Sequence, residues 1–256
     1  MIGDRMTGRA TRVAELMAMR LGGAATLSRS DLELIETTSR RLETAPVSSD
    51  VPGRRILVSG WVARRRTLDD GPRQIFGFLL PGDPLESRGR RHAGLAALTP
   101  VETAEASALF EAAEASLLHS GLTEGFEAIR DEEERLLLDH IVRLGKLTAY
   151  ERTAHLLLEL RERLARVGLA DDQRLPMPLT QETLADALGL SIVHVNRTVQ
   201  QLRRDGMLEL RSGVATLPAP EALAHLCGYQ PLRAPRPATG PAAPSDAPRE
   251  AAAPLG

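Results

Sequence analysis

The residues with the clearest chemical capability lie in the stretch LGLSIVHVNRTVQQLRR, residues 188–204. If this stretch is helical, Val195, Val199 and Leu202 fall on one side, and the opposite side carries amide and guanidinium groups and no acid. Such groups can pair bidentately with adenine and guanine edges in a major groove, and an exposed valine can meet a thymine methyl. That opposite side consists of Val193, Asn196, Arg197, Gln200 and Arg204, with Gln201 at its border.

The residues just before this stretch are those that a tight turn between two helices requires. Thr180 is a good N-cap for a short helix, and Ala185 is small enough for a second helix to pass closely. Gly189 can adopt a positive φ, and Leu190 can fill the turn. Ser191 can cap the second helix, and with that helix N-terminus it can hold a phosphate. Together they predict a helix-turn-helix whose second helix enters the major groove.

The segment after this helix predicts a β-wing. Gly206 ends the helix, and LELRSGVATL is typical of a strand, a Ser-Gly turn and a second strand, with Arg211 placed to meet backbone phosphate. The charge balance opposes nucleic-acid binding, because residues 172–231 contain five arginines and six acidic residues. Binding must therefore depend on a focused patch and on two copies of it.

Residues 122–144 have the period of a long helix with one apolar stripe. This stripe favours either a two-stranded coiled coil or packing onto the chain's own domain, and the pattern alone leaves both open. If two copies pair through this stripe, the predicted contact residues are Phe126, Ile129, Leu137, Ile141 and Leu144. Thr148 and Glu151 then form a capping box that begins another helix, which ends near Gly168.

The N-terminal half has a different pattern. Residues 28–42 suggest a short helix, and residues 56–68 and 74–80 are β-prone segments separated by the turn Asp69-Asp70-Gly71. We expect a small antiparallel β unit here. Arg64, Arg65 and Arg66 are interpreted as a solvated strand end, with phosphate contact as the alternative. The Pro- and Ala-rich residues 231–256 predict a disordered tail.

Composition excludes several classes of function. A chain of 256 residues, 43% hydrophobic, supports two modest domains. The single cysteine, Cys227, excludes a disulfide framework and a cluster held by several thiolates, and its burial as a small apolar side chain is expected. No apolar run reaches the roughly 18 residues of a membrane span, so a cytoplasmic protein is expected. No metal site, cofactor site or catalytic constellation is present, so we expect no enzyme.

The sequence resembles the Crp/Fnr superfamily of bacterial transcription regulators over most of residues 28–230. The resemblance is carried by the pattern LTQ-x-x-LADALGLS-x-VHVNRT and by residues 144–160 and 57–83. The resemblance implies an α+β fold: a truncated β-roll of the cyclic-nucleotide-binding type, a long dimerisation helix and a winged helix-turn-helix. The implied segments are an N-terminal extension (1–27), the β-roll (28–121), the dimerisation helix and hinge (122–147) and the DNA-binding domain (148–230). The implied partners are double-stranded DNA, a second copy of the chain and RNA polymerase.

The resemblance also implies roles for individual residues. Arg197 matches the family's guanine-reading arginine, whereas Val193 stands where many members carry a glutamate, so the half-site differs. The Gly-Glu turn and Arg-Ser/Thr pair that hold cyclic AMP are missing. Arg88, Arg90 and Arg91 are interpreted as solvent-facing loop residues, with anion binding as the alternative. The favoured function is a DNA-binding regulator acting without cyclic AMP. The alternatives are a cyclic-nucleotide sensor and a protein-interaction module that has lost DNA binding.

Overall fold

The computed structural model describes residues 13–23, 25–39, 53–69, 71–86, 94–115 and 118–232. Its helices are α1 (residues 13–22), α2 (Arg29–Ser39), α3 (Ser107–Ala115), α4 (Ser120–Lys146), α5 (Ala149–Arg166), α6 (Gln181–Leu188), α7 (Ile192–Arg204) and α8 (Pro220–Cys227). Its strands are β1 (Arg54–Ser59), β2 (Val62–Thr67), β3 (Arg73–Leu79), β4 (Pro84–Glu86), β5 (Gly94–Ala97), β6 (Glu102–Glu105), β7 (Arg174–Pro176), β8 (Glu209–Arg211) and β9 (Val214–Thr216). None of the helices in the described ranges is both long and apolar enough to span a bilayer.

The first six strands form a β-roll of two antiparallel three-stranded sheets, in the orders β4-β1-β6 and β3-β2-β5. Residues 56–68, expected to be one β-prone segment, are divided between the two sheets by a corner at Gly60. Gly60 has φ +88°, and a Cβ there would lie 2.3 Å from the Pro100 carbonyl oxygen, so only glycine fits. Between the sheets lies an aliphatic core, each member of which is at most 2% exposed: Leu57, Val62, Leu79 and Leu85.

A layer of helices covers the other face of β1. Residues 13–22 showed no pattern that predicts a helix, yet α1 buries Val13, Met17 and Leu21 against this layer. Phe126 and Ile129, assigned from the sequence to contacts between two copies, are only 4% and 2% exposed within one chain. The Phe126 ring lies 4.4 Å from that of Phe110, centroid to centroid. The assignment of these two residues was wrong, because the first half of α4 packs onto its own domain.

The second half of α4 presents an uncovered apolar surface instead. Leu137 and Ile141, both predicted contacts, are 47% and 58% exposed, and Leu138 and Val142 beside them are 56% and 52% exposed. We call these four residues the α4 seam. Leu144, the fifth predicted contact, is half-buried against the helix-turn-helix, since a Cβ added at Gly189 would lie 3.2 Å from its Cδ2. The candidate contact surface for a second copy is therefore the α4 seam, not the longer stripe predicted from the sequence.

A cluster of buried ions joins the β-roll to the helices that follow it. The Asp83 carboxylate, in the turn after β3, lies 3.2 Å from Arg20 of α1 and 2.6 Å from Arg163 of α5. Glu132 of α4 pairs with Arg20 and with Arg166, each at 2.9 Å. Burial alone would raise the pKa of Asp83, but Arg163, Arg20 and the Leu80 amide outweigh it and hold that pKa below its usual value. Since each buried charge has several partners, the cluster fixes the position of the β-roll relative to α4 and α5.

The C-terminal end of the described chain is attached to both long helices. Tyr229 donates through its hydroxyl to Glu162 of α5 at 2.7 Å. Arg135 of α4 donates to the carbonyls of Gln230 and Pro231, at 2.6 and 3.1 Å. Residues 231 and 232, assigned from the sequence to the tail, are thus held in place, and residues 233–256 of that predicted tail lie outside the described residues.

Candidate nucleic-acid interface

The predicted helix-turn-helix is confirmed at the level of individual hydrogen bonds. Thr180 caps α6 by accepting from the Thr183 amide at 3.1 Å. Gly189 follows α6 with φ +61°, the left-handed conformation that the turn requires. Ser191 caps α7 by accepting from the His194 amide at 3.2 Å. These local interactions set the start of α7 and therefore the direction in which its first turn points.

The two sides of α7 differ as predicted. Val195, Val199 and Leu202 are buried, at 0%, 5% and 0% exposure, and pack into the core shared with α5 and α6. Val193 is 71% exposed, and the adjacent Ile192 is half exposed, so the helix tip presents two apolar side chains. The remaining predicted base and backbone contacts on α7 are all exposed: Asn196, Arg197, Gln200 and Arg204. We call this acid-free surface, with Val193, the α7 ridge.

The wing follows α7 in the chain. Strands β8 and β9 pair antiparallel around a turn in which Ser212 and Gly213 have φ of 49° and 76°. Arg211, the predicted phosphate contact, exposes 86% of its side chain, and its salt bridge to Glu209 spans 3.8 Å. Arg174–Pro176 forms β7, which pairs with β9 and completes a three-stranded sheet.

Three acidic residues of this region have partners away from the α7 ridge. Arg73, on β3 of the β-roll, pairs with Glu182 and, at 3.0 Å, with Asp186, both on α6. Asp205, directly after α7, accepts a hydrogen bond from Tyr150, and burial together with this carboxylate raises the pKa of that hydroxyl. Arg73 therefore offsets part of the negative charge counted in residues 172–231. No sequence pattern indicated Arg73, since the contact joins residues more than 100 positions apart.

The N-terminal part offers a weaker candidate site. Arg64 is ion-paired with Glu133 of α4 and does not project into solvent as a free strand end. Residues 87–93, which include the candidate anion ligands Arg88, Arg90 and Arg91, lie outside the described residues. In the described ranges no group of three or more His, Cys, Asp or Glu side chains is placed to hold a metal ion. Cys227 is buried, and burial raises the pKa of its thiol.

A capped two-helix turn, an exposed acid-free second helix and a β-wing define a winged helix-turn-helix DNA-binding domain. The comparisons agree: residues 151–226 match the Crp-like helix-turn-helix domain family. The chain is 36% identical over 176 residues to the nitrogen fixation regulation protein FixK of Bradyrhizobium diazoefficiens, covering 66% of this chain and 72% of FixK. It is 31% identical over 163 residues to the transcriptional activator protein FnrL of Cereibacter sphaeroides, covering 60% and 64%.

Solved structures show the same fold. The structure of FixK2 from Bradyrhizobium japonicum superposes with a TM-score of 0.59 at 29% identity, covering 72% of this chain and 92% of FixK2. A CooA mutant from Carboxydothermus hydrogenoformans shares the fold at a TM-score of 0.55 and 18% identity, covering 73% and 88%. The chain therefore belongs to the Crp/Fnr superfamily and is a DNA-binding transcription regulator of that type.

Proposed function

We propose that the chain acts as a homodimer that sets two α7 ridges into successive major grooves of a palindromic DNA site. The observation that carries this proposal is the α7 ridge itself, exposed and acid-free above a fully buried underside. A two-fold axis through the α4 seam supplies the second copy, because an uncovered apolar stripe on a long helix is the surface such a dimer buries.

Each residue of the interface has a role that follows from its chemistry. Arg197 donates to guanine O6 and N7, and Asn196 pairs with adenine. Val193 contacts a thymine methyl from the first turn of α7. Four further residues hold the sugar-phosphate backbone: Ser191 with the amides of the helix N-terminus, and Gln200, Arg204 and Arg211.

We further propose that regulation does not require cyclic AMP. In the family the nucleotide lies within the β-roll, and here Leu57, Val62, Leu79 and Leu85 fill the space between the sheets. Asp83, in the turn after β3, is engaged by Arg20 and Arg163. Isothermal titration with cyclic AMP should therefore show no heat of binding, and a saturable isotherm would contradict this part of the proposal.

The DNA proposal is tested with Arg197→Ala, after selection of bound fragments from a random DNA pool has given the site. Loss of the bidentate contact should cost roughly 1–3 kcal/mol per half-site and relax the preference at one base pair. Arg203→Ala, which removes the same charge from an exposed position off the α7 ridge, is the matched control. It should weaken all sequences about equally and leave the preference intact. Wild-type affinity and preference in Arg197→Ala would exclude the proposed groove contact.

A further inference from the structure

A short segment at the end of the described chain joins the DNA-binding domain to the long helix. Gly228, with φ +65°, follows α8 and lets the chain change direction. Residues 229–232 then contact both α5 and α4, and we call them the C-terminal strap. Tyr229 and Leu232, at its two ends, are only 6% and 7% exposed. Both ends of the C-terminal strap are therefore packed into the protein.

Tyr229 attaches the beginning of the C-terminal strap to α5. Its hydroxyl donates to the Glu162 carboxylate at 2.7 Å, and its ring meets the His155 ring edge to face, with 4.9 Å between the centroids. Burial and the Glu162 carboxylate raise the pKa of Tyr229, so the hydroxyl keeps its proton at neutral pH and remains a donor. This end is thus held by a packed ring and by a hydrogen bond to a charged acceptor.

Two arginines hold the rest of the C-terminal strap by its main-chain carbonyl groups. Arg135 of α4 donates to the carbonyls of residues 230–231, at 2.6 and 3.1 Å. Arg166 of α5 donates to the carbonyl of Leu232 and also pairs with Glu132 of α4, at 2.9 Å. The C-terminal strap and this ion pair therefore form one assembly across the crossing of α4 and α5.

The position of Arg135 makes its contact sensitive to the angle between α4 and α5. Only Leu147 and Thr148, both extended, separate the two helices, so rotation at these residues turns the whole DNA-binding domain. Arg135 lies 11 residues before the end of α4 at Lys146, which is roughly 16 Å along the helix. At that distance a rotation of about 5° displaces the contact by about 1.4 Å, which is enough to break a hydrogen bond.

We propose that Arg135 and Tyr229 are positioning residues for DNA binding, which act through the C-terminal strap. They hold the DNA-binding domain at one angle to α4, and in a dimer built on α4 they fix the distance between the two α7 ridges. Neither residue belongs to an α7 ridge, so neither reads a base. The effect on DNA binding rests on the proposed homodimer, whereas the restraint on the junction of α4 and α5 does not.

The first measurement varies the spacing between the two half-sites of the selected DNA site. One added base pair moves the second half-site by about 3.4 Å and turns it by about 35° around the duplex. A wild-type dimer of fixed geometry should therefore bind the altered spacing much more weakly than the selected one. Arg135→Met keeps the aliphatic stem and removes the donors, and Tyr229→Phe keeps the ring and removes the hydroxyl.

In fluorescence anisotropy titrations, the ratio of the two affinities should fall at least about threefold in each variant, and further in the double variant. The reason is that a looser junction adapts to the altered spacing. Sedimentation equilibrium checks that the dimer is retained. Arg29→Met is the control, because it removes an arginine whose side chain is 93% exposed on α2, and it should leave the ratio unchanged.

The second measurement needs no DNA. Hydrogen exchange of the amides of residues 147–152 reports opening of the junction between α4 and α5. Exchange in the double variant should be at least about threefold faster than in the wild type, because opening no longer requires the strap contacts to break. The Arg29→Met control should exchange at the wild-type rate.

A spacing ratio in the double variant equal to that of the wild type would overturn the proposal. Loss of stability alone would give this result, since it lowers both affinities by the same factor. Wild-type exchange at the junction in the double variant would overturn the proposal as well. If the wild-type chain shows no preference among spacings, the proposed palindromic dimer is wrong, and the exchange measurement then decides on the C-terminal strap by itself.

Discussion

The substitution Ile141→Lys tests the assembly most directly. Ile141 lies at the centre of the α4 seam and is 58% exposed, with Leu138 at 56% one turn before it. Leu138 and Ile141 are three residues apart, which is one of the two steps between apolar positions in a coiled-coil core. In a two-fold dimer built on this spacing, the two Ile141 side chains pack close to each other or to the opposite Leu138.

The expected magnitude follows from the exposed fraction. Full burial of an isoleucine is worth about 1.5–3 kcal/mol, and Ile141 has roughly half of its surface still to bury, so each copy contributes about 1 kcal/mol to the dimer. Ile141→Lys removes this contribution from both copies and brings two ammonium groups together at a partly desolvated seam. We expect a loss of about 3 kcal/mol, which raises the dimer dissociation constant on the order of a hundredfold.

Sedimentation equilibrium over a concentration series measures this constant, and circular dichroism checks that the fold is retained. Stability of the monomer should change little, because the side chain at 141 is already exposed. Leu226→Lys, on α8 at 42% exposure, introduces the same charge away from the seam and should leave the dimer intact. A dissociation constant for Ile141→Lys equal to that of the wild type would show that the α4 seam is not the dimer contact.

Three further results are expected from the chain itself. Asp83→Asn leaves Arg20 and Arg163 facing a neutral amide in a buried site, and urea denaturation should show a loss of about 3–5 kcal/mol. Burial, with Arg143, lowers the pKa of both His140 and His155 to about 4, below the usual 6.5. The stability that depends on their neutral forms is present above pH 6.5 and is lost as the pH falls toward 4, and His140→Phe with His155→Phe should flatten that pH dependence. Ser191→Ala removes the α7 cap and should cost about 1 kcal/mol in thermal unfolding; an unchanged midpoint would mean that the cap contributes nothing.

The helix-turn-helix could be predicted from the sequence because its determinants are local. Thr180, Gly189 and Ser191 act on backbone groups at most four residues away. The alternation of buried and exposed residues on α7 follows from helical periodicity alone. The residues of the DNA interface were found for the same reason, since they lie on one face of one helix.

The contacts of α4 could not be predicted in the same way. Periodicity shows which residues share a face, but it does not show whether that face meets the same chain or a second copy. Phe126 and Ile129 meet α3 and the rest of their own domain, and no local pattern indicates that these elements lie beside them. The exposed Leu138 and Val142 were missed because they lie outside the predicted stripe, on the side of the helix away from Phe126.

Local sequence patterns could not predict the ion pairs either, because these pairs join residues that are distant in the sequence. The ion pairs explain how the two halves of the molecule are connected. Arg143, near the end of α4, pairs with Glu159 of α5. Glu132, about three turns earlier on α4, pairs with Arg166 at the end of α5. Arg152 of α5 donates to the carbonyls of Leu147 and Leu188, at 2.8 and 3.2 Å, and so joins the end of α4 to the helix-turn-helix. The α4 seam and the α7 ridge are therefore connected through contacts on α5. Because α5 sets the position of α7 relative to α4, the distance between two α7 ridges in a dimer depends on these pairs.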